Sequence, residues 1–381
     1  MSETSIHGHC APGFEGVREA FSANFAEGLD DGASVCVTVN GEPVVDLWGG
    51  TRDADGKQPW EEDTIVNVYS TTKTMAALTT LLLADGGAFD LHDPVAKLWP
   101  EFRAAGKGRV TIAHLLGHAA GLSGIDEPLE AEDLYDHDKV VDLLARQAPW
   151  WEPGTASGYH AITQGYLLGE VVRRATGETL GTVFRKEIAE PLGADFHIGT
   201  GAEHDARIGD LIPPEENLGQ ATGAEADSIA ARTFANPATS ALQSREAGWR
   251  RAEIPAANGH GNARSVALVQ ALIANGGSVG GKRILSEEGA RRALELVVEG
   301  RDLVLGMPAK FGMGYGLSTP EMPLGPNPNT IFWGGWGGSL IVVDLDARTT
   351  YAFVMNRMVS TLMGDPRTLR LGMAVAGALA A

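Results

Sequence analysis

Seven consecutive residues, Asn67-Val68-Tyr69-Ser70-Thr71-Thr72-Lys73, give the first hold on this chain. It follows a short strand-like run, Thr64-Ile65-Val66, and leads into an apolar segment, residues 74–84, whose spacing predicts a helix. Positions i and i+3 share a helix face, so Ser70 and Lys73 point the same way at its first turn. There the leading backbone N–H groups have no acceptor inside the helix. A serine hydroxyl attacks a carbonyl only once its proton is taken, and a lysine held neutral by burial can take it. Of the eight lysines, Lys73 alone has a serine three positions before it. The same letters also suit an N-cap serine beside a solvated first-turn lysine. What surrounds them has to decide.

On the N-terminal side, residues 14–29 carry a helical stripe of Val17, Ala20, Phe21, Phe25 and Leu29. Two strand-like runs follow, 33–39 and 43–48, joined by Asn40-Gly41, a strong hairpin signal. From Phe89 to about His260 the pattern is mostly helical. A helix start is expected at Leu91-His92-Asp93-Pro94, and a short apolar helix from Thr111 that stops at Gly121. Further helices are expected at 139–146 and at 164–175, the latter capped by Gly177, with a long Gly/Pro/Ala-rich loop at 198–230. After a helix at 264–275 come strand-like runs at 312–318, 330–332, 340–343 and 350–355, then a closing helix at 366–380. Strands at both ends around a helical middle imply an α+β fold. Residues 1–88 and 261–381 would form one antiparallel sheet flanked by helices, an α/β sandwich, and 89–260 an inserted, mostly helical domain.

At 381 residues with 44% apolar and 21% charged residues, the chain suits a globular protein with a sizeable core. Its net charge of −19 would repel a phosphate backbone or an anionic bilayer, so nucleic acid and membrane are not expected partners. The C-terminal apolar stretch, 371–381, is too short to span a bilayer. The first residues show neither a basic n-region nor an apolar h-region, which makes the cytoplasm the expected location. Cys10 and Cys36 make no disulfide framework, and Cys36 reads as a buried thiol in an alternating run.

Two further stretches carry chemistry. In Ser157-Gly158-Tyr159-His160-Ala161, just before a helix, a phenol can relay a proton if a nearby ammonium favours its phenolate; the alternative is an aromatic packing residue. His160 suits a base or a hydrogen-bonded loop histidine. In Phe332-Trp333-Gly334-Gly335-Trp336-Gly337-Gly338-Ser339, four glycines let a backbone approach a ligand with bare N–H groups, as an oxyanion hole requires; a bulged strand or tight hairpin would read the same way. Gly276-Gly277-Ser278-Val279-Gly280 matches Gly-x-Ser-x-Gly but follows a helix instead of a strand, and reads as a helix cap and turn. His114 and His118 have zinc-helix spacing without the adjacent glutamate, so no metal site is expected.

Taken as an ordered set, Ser70-x-x-Lys73, the loop Tyr159 and the Gly-rich strand resemble the serine β-lactamase and penicillin-binding-protein superfamily, specifically its class C branch with the family VIII carboxylesterases. Leu115-Leu116-Gly117-His118-Ala119-Ala120-Gly121-Leu122 resembles that family's "LLxHxSGL", and Gly165–Gly169 its helix after the tyrosine. The resemblance implies Ser70 as acylated nucleophile, Lys73 and Tyr159 as its acid–base partners, and the amides of Ser70 and Trp336 as oxyanion hole. Trp333-Gly334-Gly335 falls where the lactamases have Lys-Thr-Gly, and Ala161 where they have the asparagine that holds the substrate amide. Losing both polar groups favours a neutral small-molecule ester over an anionic β-lactam, at about 1.5–3 kcal/mol for a charge-assisted bond. The implied activity is a serine carboxylesterase without cofactor or metal, the alternative a β-lactamase, D-amino-acid peptidase or acyltransferase. Trp150, Trp151, Trp333 and Trp336 are candidates for an apolar pocket. The oligomeric state stays open.

Overall fold

The computed structural model describes residues 4–214, 225, 227–360 and 364–380. The N-terminal part contributes β1 (Ile6–Cys10), β2 (Gly32–Val39), β3 (Glu42–Gly50) and the two-residue β4 (Val66–Asn67). β5 (His260–Gly261) pairs with β4, and β6 (Ser278–Val279) with β7 (Lys282–Arg283). The C-terminal part adds β8 (Val298–Arg301), β9 (Pro308–Phe311), β10 (Gly316–Leu317), β11 (Thr330–Gly334), β12 (Leu340–Asp344) and β13 (Thr349–Met355). Nine of these form one antiparallel sheet in the order β1-β3-β2-β13-β12-β11-β10-β9-β8.

The sheet is seeded locally and closed globally. Asn40 and Gly41 both take positive φ (52° and 84°), as the two-residue turn between β2 and β3 requires. β13 then pairs with β2 from Thr349 opposite Val39 to Met355 opposite Ala33, which joins the two ends of the chain. Both strands are buried almost throughout, so helices cover both faces. Successive residues of β13 show the two faces. Thr350 Oγ1 donates to Ala267 O (3.2 Å) in the helix Ala263–Ala274, and Tyr351 OH to Thr368 O (3.1 Å) in the C-terminal helix Pro366–Ala380. The latter helix packs beside α1 (Glu15–Ala26). The fold is the α+β arrangement expected, an antiparallel sheet built from both termini.

Between the two sets of strands lie α2 (Thr72–Asp85), α3 (Ile112–Leu116), α4 (His137–Arg146) and α5 (Thr163–Thr176). α2 buries ten residues, among them Met75, Ala76, Ala77, Leu78 and Leu81, and packs against α5. A helix apolar on most sides belongs inside, and burial of each large aliphatic side chain contributes about 1.5–3 kcal/mol. Among the described residues no helix is long and apolar enough to cross a membrane.

Several local expectations are corrected. β1 and β8 were absent from the sequence reading, because both are sheet edges with mostly exposed residues and no alternation. Leu91–Pro94 is a turn, since Pro94 is extended (ψ 133°) and only a 3₁₀ turn follows. α3 ends at Gly117, not Gly121, because His118 turns left-handed (φ 59°). Part of the loop at 198–230 lies outside the described residues.

Candidate active site

Ser70 sits in a 3₁₀ turn, Tyr69–Thr71, between β4 and α2. The strand is Val66–Asn67 instead of 64–66, and the helix begins at Thr72, two residues earlier than its apolar run, because Thr72 and Lys73 are polar yet buried. Tyr69 has φ 44°, a conformation a bulky residue adopts only under constraint. The constraint is visible. Its buried ring packs against Trp336 (5.0 Å between centroids) and Trp249 (6.2 Å). Asn67 holds the turn to neighbouring chain, donating to Ala257 O (2.8 Å) and accepting from Trp249 Nε1 (2.6 Å). From the other side Ser339 Oγ donates to Val68 O (2.8 Å) and lies 2.9 Å from Thr71 Oγ1. A strained turn clamped on two sides presents Ser70.

Three groups converge there. Lys73 Nζ lies 3.0 Å from Ser70 Oγ, and Tyr159 OH donates to the same oxygen at 2.5 Å. Lys73 is fully buried and also donates to Ala161 O (2.7 Å) and Ala256 O (2.9 Å). Burial pushes its ammonium well below the ordinary lysine value. A neutral amine has two N–H donors, which the two carbonyls take, and one lone pair, which is left for the Ser70 hydroxyl proton. Burial likewise pushes the Tyr159 phenol up; its bond to Ser70 opposes the shift and the charge of Asp302 adds to it. The sequence reading required an ammonium that favours a phenolate. Here burial moves both groups toward their neutral forms, which works against that charged pairing.

The Gly-rich segment connects β11 to β12 as a tight hairpin: Gly335 N donates to Ser339 O (2.8 Å) and Gly338 N to Gly335 O (3.0 Å). A Cβ on Gly335 would stand 2.1 Å from Val68 O and 3.2 Å from Ser70 N, so glycine alone permits this approach to the Ser70 turn. The next amide, Trp336 N, has no hydrogen-bond acceptor among the described residues. Beside it opens a cleft of about 790 Å³, mouth included, lined by Ser70, Tyr159, Trp333, Gly334, Gly335 and Trp336 together with apolar residues such as Leu305, Met307 and Phe332. Trp333 is fixed by stacking on buried His118 (5.2 Å, 19° between planes).

Other candidates fall elsewhere. Ala161 does not line the cleft; its role is the carbonyl that accepts from Lys73. Trp151 packs on Gly158 and donates to Ala156 O (2.9 Å), while Trp150 lies under the Arg232 guanidinium (3.9 Å), so neither is a cleft wall. His160 is pushed down to about 3 by burial; Leu122 N donates to its Nε2 and its Nδ1 faces Gly158 O, which leaves no nitrogen for base chemistry. His114 and His118 are separately engaged, with Thr111 N and His160 N donating to them. Ser278 lies in β6 of a small hairpin, in keeping with a turn after a helix. Sequence reasoning missed Tyr69, Asn67, Trp249 and Asp302. Their contacts join segments far apart in the chain, which leaves no local residue pattern to find.

A family model described as Beta-lactamase matches residues 21–373. The "Esterase/beta-lactamase LipL" of Mycobacterium tuberculosis (strain ATCC 25618 / H37Rv) is 36% identical over 370 residues, covering 94% of this chain and 84% of that protein. Among solved structures, a family VIII carboxylesterase superposes with a TM-score of 0.91 at 43% identity, over 97% of this chain and 98% of that one. A penicillin-binding protein homolog from Caulobacter crescentus superposes with a TM-score of 0.89 at 37% identity, over 98% and 100%.

Proposed function

The chain belongs to the Beta-lactamase family, and from that premise we propose that this serine hydrolase is a carboxylesterase acting on short-chain esters through an acyl-enzyme on Ser70. The observation that carries the reading is the convergence of Lys73 Nζ (3.0 Å) and Tyr159 OH (2.5 Å) on Ser70 Oγ at an apolar cleft. Neutral Lys73 takes the Ser70 proton as Oγ attacks the ester carbonyl. The amides of Ser70 and Trp336 receive the oxyanion. Tyr159 passes the proton from Lys73 to the departing alcohol. Water then attacks the acyl carbonyl, losing a proton to the same pair, and that proton returns to Ser70 Oγ as the acyl–oxygen bond breaks and the acid leaves. Residues 1–88 and 261–381 would act as one domain and 89–260 as an inserted one, with Ser70 and Tyr159 contributed from either side.

The substrate class follows from what the cleft lacks. Trp333 offers stacking surface where a lysine would meet a carboxylate, and Ala161 turns only its backbone to the site. Against an anionic β-lactam the missing charged contact costs about 1.5–3 kcal/mol. Because the mycobacterial relative is named both esterase and β-lactamase, the second reading is β-lactam hydrolysis on the same serine. The test is turnover of p-nitrophenyl butyrate beside a chromogenic cephalosporin, with Ser70→Ala as blank. Fast ester hydrolysis, abolished in the variant, with cephalosporin turnover at least tenfold slower supports the esterase. Cephalosporin turnover equal to the ester rate supports the second reading.

A further inference from the structure

Asp302 follows β8 directly and is fully buried. One of its oxygens, Oδ1, accepts from three backbone amides: Tyr159 N (3.0 Å), Val304 N (2.9 Å) and Leu305 N (2.8 Å). The segment that begins with it is tied down further. Leu303 N donates to Ser157 O (2.8 Å), Gly306 N to Asp302 O (2.9 Å) and Asp302 N to Met307 O (3.0 Å). The second carboxylate oxygen, Oδ2, is buried without a hydrogen-bond partner among the described residues. A buried carboxylate is costly unless its hydrogen bonds are made. Here they are made to two things at once: the loop that carries Tyr159, and the turn that supplies Leu305 and Met307 to the cleft.

We propose that Asp302 is a positioning residue that holds the Tyr159 hydroxyl and the Leu305–Met307 wall of the cleft in one register. The substrate group resting on that wall and the phenol that reaches Ser70 are then placed by the same carboxylate oxygen. Its charge also acts on Tyr159, helping to keep the phenol protonated so that it donates to Ser70. The inference rests on reading Tyr159 as the proton relay. The part of its effect that runs through Tyr159 disappears from kcat once the Tyr159 hydroxyl is gone, the part that runs through the Leu305–Met307 wall persists as a higher KM, and a group that merely supports the fold lowers kcat in either background.

The experiment is therefore a double-variant cycle on p-nitrophenyl butyrate hydrolysis: wild type, Asp302→Ala, Tyr159→Phe, and the two combined. Displacement of a catalytic group by about 1 Å costs on the order of 10²-fold, so Asp302→Ala should lower kcat by about that factor. In the Tyr159→Phe background the same replacement should change kcat by less than about twofold, while the loosened Leu305–Met307 wall raises KM in both backgrounds. Asp302→Ser, whose single hydroxyl cannot satisfy three amides, should show a smaller loss masked in the same way, and carries the test if the alanine variant does not fold. Losses that multiply with Tyr159→Phe, or folded Asp302 variants with wild-type kcat, would overturn the inference and leave the relay intact. Wild-type activity in Tyr159→Phe alone would remove the relay and the inference with it.

Discussion

Lys73 has three acceptors within reach of its nitrogen but no carboxylate, and that asymmetry governs its chemistry. An ammonium in this position has lost its hydration without gaining a counter-ion, so the neutral amine is favoured. Lys73→Arg should therefore be as inactive as Lys73→Ala, each lowering kcat by about 10²–10⁴-fold, because an arginine does not release its proton. The sign of the pH dependence follows. The proposed base is the unprotonated amine, whose pKa lies below the ordinary lysine value, so the acid-side fall in kcat/KM should come at lower pH than an ordinary lysine would give. A profile that climbs steadily toward pH 10 would show an ordinary lysine instead. At this scale the site was partly legible. The candidates Ser70 and Lys73 stand out by residue type and spacing and Tyr159 only through the family resemblance, while Tyr69 and Asp302 look like any buried tyrosine and any turn aspartate until the backbone is seen.

The element that matters most is the connection from β11 to β12. Its glycines were readable as a place where backbone approaches a ligand, or as a tight hairpin; the structure makes it a hairpin and brings Gly335 against Val68 and Ser70. Gly335→Ala puts a methyl 2.1 Å from Val68 O and 2.3 Å from Ser339 Oγ, so the hairpin or the Ser70 turn must shift. The expected result is a loss of kcat of about 10²-fold with a stability cost of about 1–3 kcal/mol, read from steady-state kinetics and a urea melt. Equal kcat would mean that the hairpin does not set the oxyanion geometry. Elements with strong period or turn chemistry were legible: the Asn40-Gly41 hairpin, α4 with its buried Val140, Val141 and Leu144, and the C-terminal helix. Edge strands were not. β1 (IHGHC) is exposed at its three central residues and is stabilised by its pairing with β3, a long-range fact that no local window contains.

Across the whole molecule, one buried guanidinium joins pieces far apart in the chain. Arg367, in the C-terminal helix, donates to Asp30 Oδ1 (2.8 Å) after α1, to Asp365 Oδ2 (2.7 Å), to Arg357 O (2.8 Å) and to Gly337 O (2.9 Å) in the Gly-rich hairpin. Its side chain is 1% exposed. Arg367→Met would leave two buried carboxylates uncompensated and should destabilise the protein by about 3–5 kcal/mol, seen as a lower urea midpoint, with part of the loss recovered by adding Asp30→Asn. The sandwich itself was visible in the order of patterns, strands at both ends around a helical middle. The register that brings residue 39 opposite residue 349 was not, because strand pairing over three hundred residues is decided by packing on both faces. In the proposed function, the whole assembly presents one nucleophile, Ser70. The most direct measurement is reaction with diethyl p-nitrophenyl phosphate, followed by intact mass and peptide mapping. One diethylphosphoryl adduct per chain is expected, on the peptide containing Ser70, with ester hydrolysis lost in step and no adduct in Ser70→Ala. An adduct on another residue, such as Ser278, or full activity in the labelled protein would contradict it.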